Sequence, residues 1–199
     1  MDSLSQRIRD RIVGGKKDVF YTVNDFADLN NDSLVARVLS RLASEGIIIR
    51  ISQGLYLYPI RTKYGVKMPT LHEIATAIAM KDQARIIPSG VTALNELGLS
   101  TQVPMRVTYL TNGSPRNIKI GKRSIVMKHS APRIFAYKTS TFPKVVLAMK
   151  ELGEKNISNS EIQIILKQLQ KEDDEKVKHD YYLAPQWIRK VLFNSRAQV

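Results

Sequence analysis

At 199 residues the chain is long enough for one domain or two small ones, and 43% hydrophobic residues suffice for packed cores. No apolar run approaches the ~20 residues that a bilayer span needs, the charged start (Asp2, Arg7, Arg9) is unlike a signal peptide, and the lack of cysteine excludes disulfides, iron–sulfur clusters and thiolate zinc sites. A cytoplasmic protein without a membrane role is expected, and its net charge of +13 favours a polyanionic partner.

The cationic excess is uneven. Residues 62–142 hold twelve Lys/Arg against three Asp/Glu, whereas 1–61 hold nine against seven and 143–199 ten against eight. Between Arg106 and Lys138 there are eight basic residues and no acid: Arg106, Arg116, Lys119, Lys122, Arg123, Lys128, Arg133 and Lys138.

In chain order, Ser3 to Val13 spaces Leu4, Ile8, Ile12 and Val13 as one helix face, and Gly14-Gly15 stop it. Thr22 and Asp25 have capping-box spacing ahead of a short helix over Phe26 and Leu29, and Asn30-Asn31 form a turn. A second helix then carries Leu34, Val35, Val38, Leu39 and Leu42 on one face and Ser33, Arg37, Ser40, Arg41 and Ser44 on the other. Asp32 or Ser33 can cap its start, and Gly46 can close its end in the left-handed conformation. Ile47 to Ile51 and Leu55 to Tyr58 read as strands joined by Ser52-Gln53-Gly54.

Helix, short helix, turn, helix and hairpin are the order of a winged helix-turn-helix over residues 1–64. In that arrangement Asn31, Ser33, Arg37 and Arg41 face base edges in the major groove, while Lys16, Lys17, Arg50 and Gln53 meet phosphates. The expected partner is double-stranded DNA. A small α+β unit whose arginines are merely solvated is the competing reading of the same residues.

Pro59 to Pro69 reads as a linker or extended segment, with a domain boundary near residue 65 and a second domain over 65–199. Thr70 and Glu73 make another capping box before Ile74, Ala75, Ile78 and Ala79, and Ser89 can cap a helix through Val91, Leu94 and Leu97 that Gly98 ends. From Val103 the period changes to two, predicting strands at 107–110, around Ile118 and Ile120, and at 125–127 in a small antiparallel sheet. Pro143 suits the first turn of a helix to Leu152, Ser158 and Glu161 open another, and Pro185 begins a last one with Trp187. The overall class is α+β, and Lys171 to Lys178 reads as a solvated charged run.

The residues offer no catalytic constellation and no cofactor site. His72, His129 and His179 lack ligand spacing, there is no Gly-rich phosphate loop, HExxH or G-x-S-x-G, and Asp173, Asp174 and Glu175 read as a solvated loop. A non-enzymatic protein without metal is expected.

Three segments, LVARVLSRLASEGIIIRISQGLYLYP at 34–59, PSGVTALNELGLSTQVP at 88–104 and VTYLTNGSPRNIKIG at 107–121, resemble the AbiEi-like antitoxins of bacterial AbiE abortive-infection systems, which are type IV toxin–antitoxin pairs. The resemblance runs over about residues 1–140. It implies a winged-helix repressor of its own operon's promoter, with a C-terminal antitoxin domain that counteracts a nucleotidyltransferase-like toxin without forming a stable complex. Two alternatives stay open: a winged-helix transcriptional regulator with no toxin, and an RNA-binding protein that uses the basic sheet, near which Tyr109, Phe135 and Tyr137 lie.

Overall fold

The computed structural model describes residues 3–196 as an α+β chain that divides into two compact units, Met1–Gln83 and Ala84–Val199. Among the described residues, no helix is long and apolar enough to cross a membrane.

In the first unit, α1 (Leu4–Val13) is capped by Ser3, whose hydroxyl accepts from Gln6 N at 3.2 Å. Strand β1 (Val19–Tyr21) follows, and then a 3-10 segment (Val23–Leu29), where Asp25 accepts from Thr22 N at 2.6 Å. Helix α2 (Asp32–Ser44) buries Val35, Val38, Leu39 and Leu42, as its periodicity predicts, with Leu34 half-buried. Its cap is Asn31 rather than Asp32 or Ser33: Asn31 Oδ1 accepts from Leu34 N at 3.1 Å. At its other end Gly46 has φ +71, and Gly46 N and Ile47 N donate back to Ala43 O and Leu42 O. This doubled closure satisfies two end carbonyls and turns the chain sharply into the next strand.

Strands β2 (Ile49–Ser52) and β3 (Leu55–Tyr58) form a hairpin whose turn includes Gly54 at φ +69. The sheet order is β1-β3-β2, antiparallel throughout. Strand β1 was not expected from the sequence, although Val-Phe-Tyr is a β-branched and aromatic run. Ile8, Ile12, Phe26, Val35, Val38, Leu39, Leu42, Ile48 and Tyr56 make this unit's core.

The segment read as a linker or extended stretch is extended, and it is paired. Strands β4 (Ile60–Thr62) and β5 (Gly65–Lys67) pair as a second hairpin, and α3 (Leu71–Lys81) packs against β3. Lys67 is tied to Asp18 at 2.6 Å, and the Arg61 guanidinium donates to Gly46 O. These contacts join 60–81 to the first unit, so the division falls after Gln83 rather than near residue 65. The capping box opening α3 forms as the sequence reads: Glu73 N donates to Thr70 Oγ1 at 3.2 Å and Thr70 N to Glu73 at 2.7 Å.

In the second unit, β6 (Ile86–Pro88), β7 (Arg106–Thr111), β8 (Arg116–Ile120) and β9 (Arg123–His129) form a sheet in the order β6-β7-β9-β8. It is not wholly antiparallel. The β8–β9 hairpin puts β9 beside β7 in a parallel pair, Val107 opposite Ile125 and Tyr109 opposite Met127, a crossover that strand patterning alone does not reveal. Helix α4 (Val91–Glu96) starts at Gly90, φ +57, and not on a Ser89 side-chain cap.

A 3-10 turn (Pro132–Phe135) leads to four helices: α5 (Phe142–Leu152), α6 (Asn159–Leu169), α7 (Asp174–Leu183) and α8 (Gln186–Arg196). Their core is built on Phe142, Val145, Met149, Ile165, Leu169 and Ile188, with Trp187 half-buried against it. The run expected as a solvated loop is in part α7, whose cap is Asp173, accepting from Lys176 N at 3.0 Å, and whose first turn holds Asp174 and Glu175. Acids there complement the helix dipole.

Asp180, on α7, is fully buried. Its carboxylate accepts from Lys138 N (2.8 Å), Thr139 N (2.8 Å) and Thr139 Oγ1 (2.7 Å), and His179 Nδ1 lies 2.9 Å away. Thr139 Oγ1 in turn accepts from Phe142 N, so one buried acid fixes the start of α5.

Candidate nucleic-acid interface

The outer face of α2 follows from its core face. Apolar residues at 35, 38, 39 and 42 leave Ser33, Arg37, Ser40, Arg41 and Ser44 exposed. Arg37 Nε reaches Ser33 O at only 3.4 Å, which keeps the side chain along the helix without neutralising its charge. Arg41 differs: its Nε lies 3.7 Å from Glu45 Oε1, while Glu45 Oε2 accepts from Arg9 at 2.9 Å. One carboxylate therefore serves two guanidiniums. All three groups are substantially exposed, so the pairing is weak and exchangeable.

Asn31 and Ser33 are engaged with each other and with the helix end. Asn31 Oδ1 holds Leu34 N and also accepts from Ser33 Oγ at 3.2 Å. The Asn31 amide NH2 is the part that remains for an outside partner.

Lys16 and Lys17 are exposed in the connection between α1 and β1, next to Asp18 at φ +66. Arg50 is exposed on β2, opposite Tyr56, and Gln53 is exposed at the hairpin turn. Of the eight expected residues, Ser33, Arg37 and Arg41 share one face of α2, and Asn31 caps its start. Lys16 and Lys17 lie on a different segment from Arg50 and Gln53, and no hydrogen bond or ion pair among the described residues links either pair to that helix face.

The basic run of the second unit is split by its own register. Neighbours across strands share a face and alternate along a strand. Arg106, Ser124 and Lys119 form one row, and Lys128 lies on the same face. Arg116 and Arg123 point to the opposite face, with Ile125 and Met127, and are half-buried. Lys122 sits in the β8–β9 turn, and Arg133 and Lys138 lie beyond the sheet. Eight cations consecutive in charge thus do not make one surface. Tyr109, Phe135 and Tyr137 are 1%, 9% and 6% exposed, so none offers an open ring on which a base could stack.

Two histidines have defined neighbours in this unit: His129 Nδ1 lies 3.2 Å from Gly113 O, and His179 faces Asp180. Burial alone would raise the Asp180 pKa, but the donors from Lys138, His179 and Thr139 together hold it below the ordinary aspartate value. Residues that the sequence reading missed are Lys81, Arg61 and Asp180. Arg61 lay in a segment read as linker or extended, Lys81 at the end of a helix read only for its apolar face, and Asp180 just past a charged run that gives no signal of burial.

Compared with curated proteins, the chain finds no match. Residues 7–177 match a family of unknown function, DUF6088, a span that includes parts of both units. The chain belongs to the DUF6088 family.

Proposed function

We propose that the protein is a double-stranded-DNA-binding transcriptional regulator whose first unit is a winged helix-turn-helix. The observation that carries this reading is α2: a helix closed at both ends, with four buried apolar residues on one side and an uncancelled Arg37 on the other, followed at once by a two-strand hairpin. That element order, with a first strand completing the sheet beside the hairpin, is what lets a helix enter a major groove while the hairpin runs along the backbone. The high positive charge supports a phosphate-rich partner. The resemblance to AbiEi-like antitoxins extends the reading to repression of its own operon and to protection against a nucleotidyltransferase-like toxin.

Footprinting on the protein's own promoter tests the DNA reading. Arg37→Ala should lose about 1–3 kcal/mol of preference for the protected sequence while thermal stability is unchanged. Undiminished preference removes Arg37 from base readout, and no footprint by the wild type removes the reading itself. A toxic nucleotidyltransferase encoded next to this gene, neutralised by co-expression, tests the antitoxin extension.

A further inference from the structure

The second unit contains a cavity of about 370 Å³ that the DNA reading does not use. Three elements wall it. The 3-10 turn supplies Arg133, Ile134 and, just beyond, Tyr137; α5 supplies Val146 and Lys150; and the α7–α8 corner supplies Leu183 and Pro185. Val146 and Lys150 are one helical turn apart, so an apolar wall and a cationic rim belong to the same ridge. No carboxylate lines this space, in contrast to a neighbouring cavity on α7 that Asp173 and Glu175 share with lysines.

Two further observations give the cavity a polarity. Arg133 and Lys150 are exposed, and neither forms an ion pair among the described residues, so both charges are available to an incoming group. Tyr137 also lines the cavity and is only 6% exposed, with its hydroxyl near enough to Arg133 to feel that charge. Burial raises the Tyr137 pKa and keeps the hydroxyl a donor.

We propose that this cavity binds a small organic carboxylate with an apolar body. The carboxylate sits between the Arg133 guanidinium, which matches its two oxygens, and the Lys150 ammonium. The Tyr137 hydroxyl completes the polar end. The body lies against Ile134, Val146, Leu183 and Pro185. The volume is near the lower end of ligand pockets, which suits a one- or two-ring acid better than a nucleotide cofactor. The binding is independent of whether the first unit reads DNA.

The test is a titration of the full-length, isotope-labelled protein with 2-naphthoate, followed by two-dimensional NMR, with neutral 2-naphthamide as control. The expected result is saturable shifts centred on Tyr137, Lys150 and Leu183, with the amide at least ~10-fold weaker, as the loss of about 1.4 kcal/mol requires. Arg133→Gln with Lys150→Gln, both at exposed positions, should weaken naphthoate ~10-fold or more, and Tyr137→Phe by a smaller factor. Leu183→Trp, at a half-buried wall position, should block both probes. No saturable shift below ~5 mM, equal binding of acid and amide, or naphthoate binding that ignores the double substitution overturns the proposal.

Discussion

Lys81 Nζ lies 2.6 Å from the main-chain oxygen of Gln53, so the last turn of α3 holds the tip of the β2–β3 hairpin. Strand β1 pairs only with Tyr56 to Tyr58 of β3, so the turn end of the hairpin gains little from the third strand. The lysine also lies 3.3 Å from where a Cβ on Gly54 would stand, which ties the tight turn to its anchor. In a hairpin that contacts a nucleic-acid backbone, Lys81 is a positioning residue: it fixes the tip on which Gln53 is carried. Lys81→Met should lower stability by about 1 kcal/mol and speed amide exchange at Leu55 and Tyr56, with little change elsewhere in the first unit. Unchanged exchange at the tip would show that the turn holds itself.

Glu45 restrains two arginines, Arg9 and Arg41, through its two oxygens. Because these groups are exposed, removing the acid should cost well under about 1 kcal/mol of stability. Its effect on binding is larger in kind. Glu45→Gln frees Arg41 on the outer face of α2 and removes a repelling charge, so affinity for non-specific duplex DNA should rise and the salt slope steepen by roughly one unit. Fluorescence anisotropy across a salt series reads both. A slope equal to the wild type's would take Arg41 off the interface.

The register of the second sheet sharpens the meaning of its charge. Arg106, Lys119 and Lys128 share a face and are exposed, whereas Arg116 and Arg123 lie on the other and are half-buried. Reversal of the first three to glutamate should leave the fold intact. If that face supports DNA binding, promoter affinity falls steeply with salt. If it serves protection from toxin, repression persists and protection is lost. A triple variant that represses and protects normally makes the face a solvated surface.

What was legible in the sequence was periodicity and end chemistry. Helix α2 could be read from Leu34 to Leu42 because a core face at 3.6 spacing is a local signal, and Gly46 and Gly54 could be placed because each needs a positive φ. The capping boxes at Thr70 and Ser158 form as their spacing predicts. Long-range pairing left no such mark. Nothing local in Val19–Tyr21 says that it joins β3, and nothing in Arg123–His129 says that it runs parallel to β7. The candidate site was visible as residue types but not as geometry. Glu45, four residues after Arg41, marks that arginine in the sequence as able to pair, whereas only the structure shows that the same carboxylate also holds Arg9.

Asp180 provides a pH-dependent prediction for the second unit. Both of its oxygens take protein donors, Lys138 N on Oδ1 and the Thr139 amide and hydroxyl on Oδ2. Those hydrogen bonds hold its pKa below the ordinary aspartate value, against the upward push of burial. A carboxyl depressed in the folded state contributes stability that is complete above its unfolded pKa, near ~4, and is lost as the pH falls through the folded value. Asp180→Asn preserves shape, but either orientation of the amide sets its NH2 against a protein N–H. The variant should therefore lose about 2–3 kcal/mol at neutral pH, with α5 loosened at Phe142 through Thr139. The difference from wild type should shrink as the pH falls below ~4, because only the wild type has this charge to lose. Urea melts at a series of pH values measure it. A gap that stays constant into acid would mean that the buried carboxylate's charge contributes nothing and that its hydrogen-bond geometry alone matters.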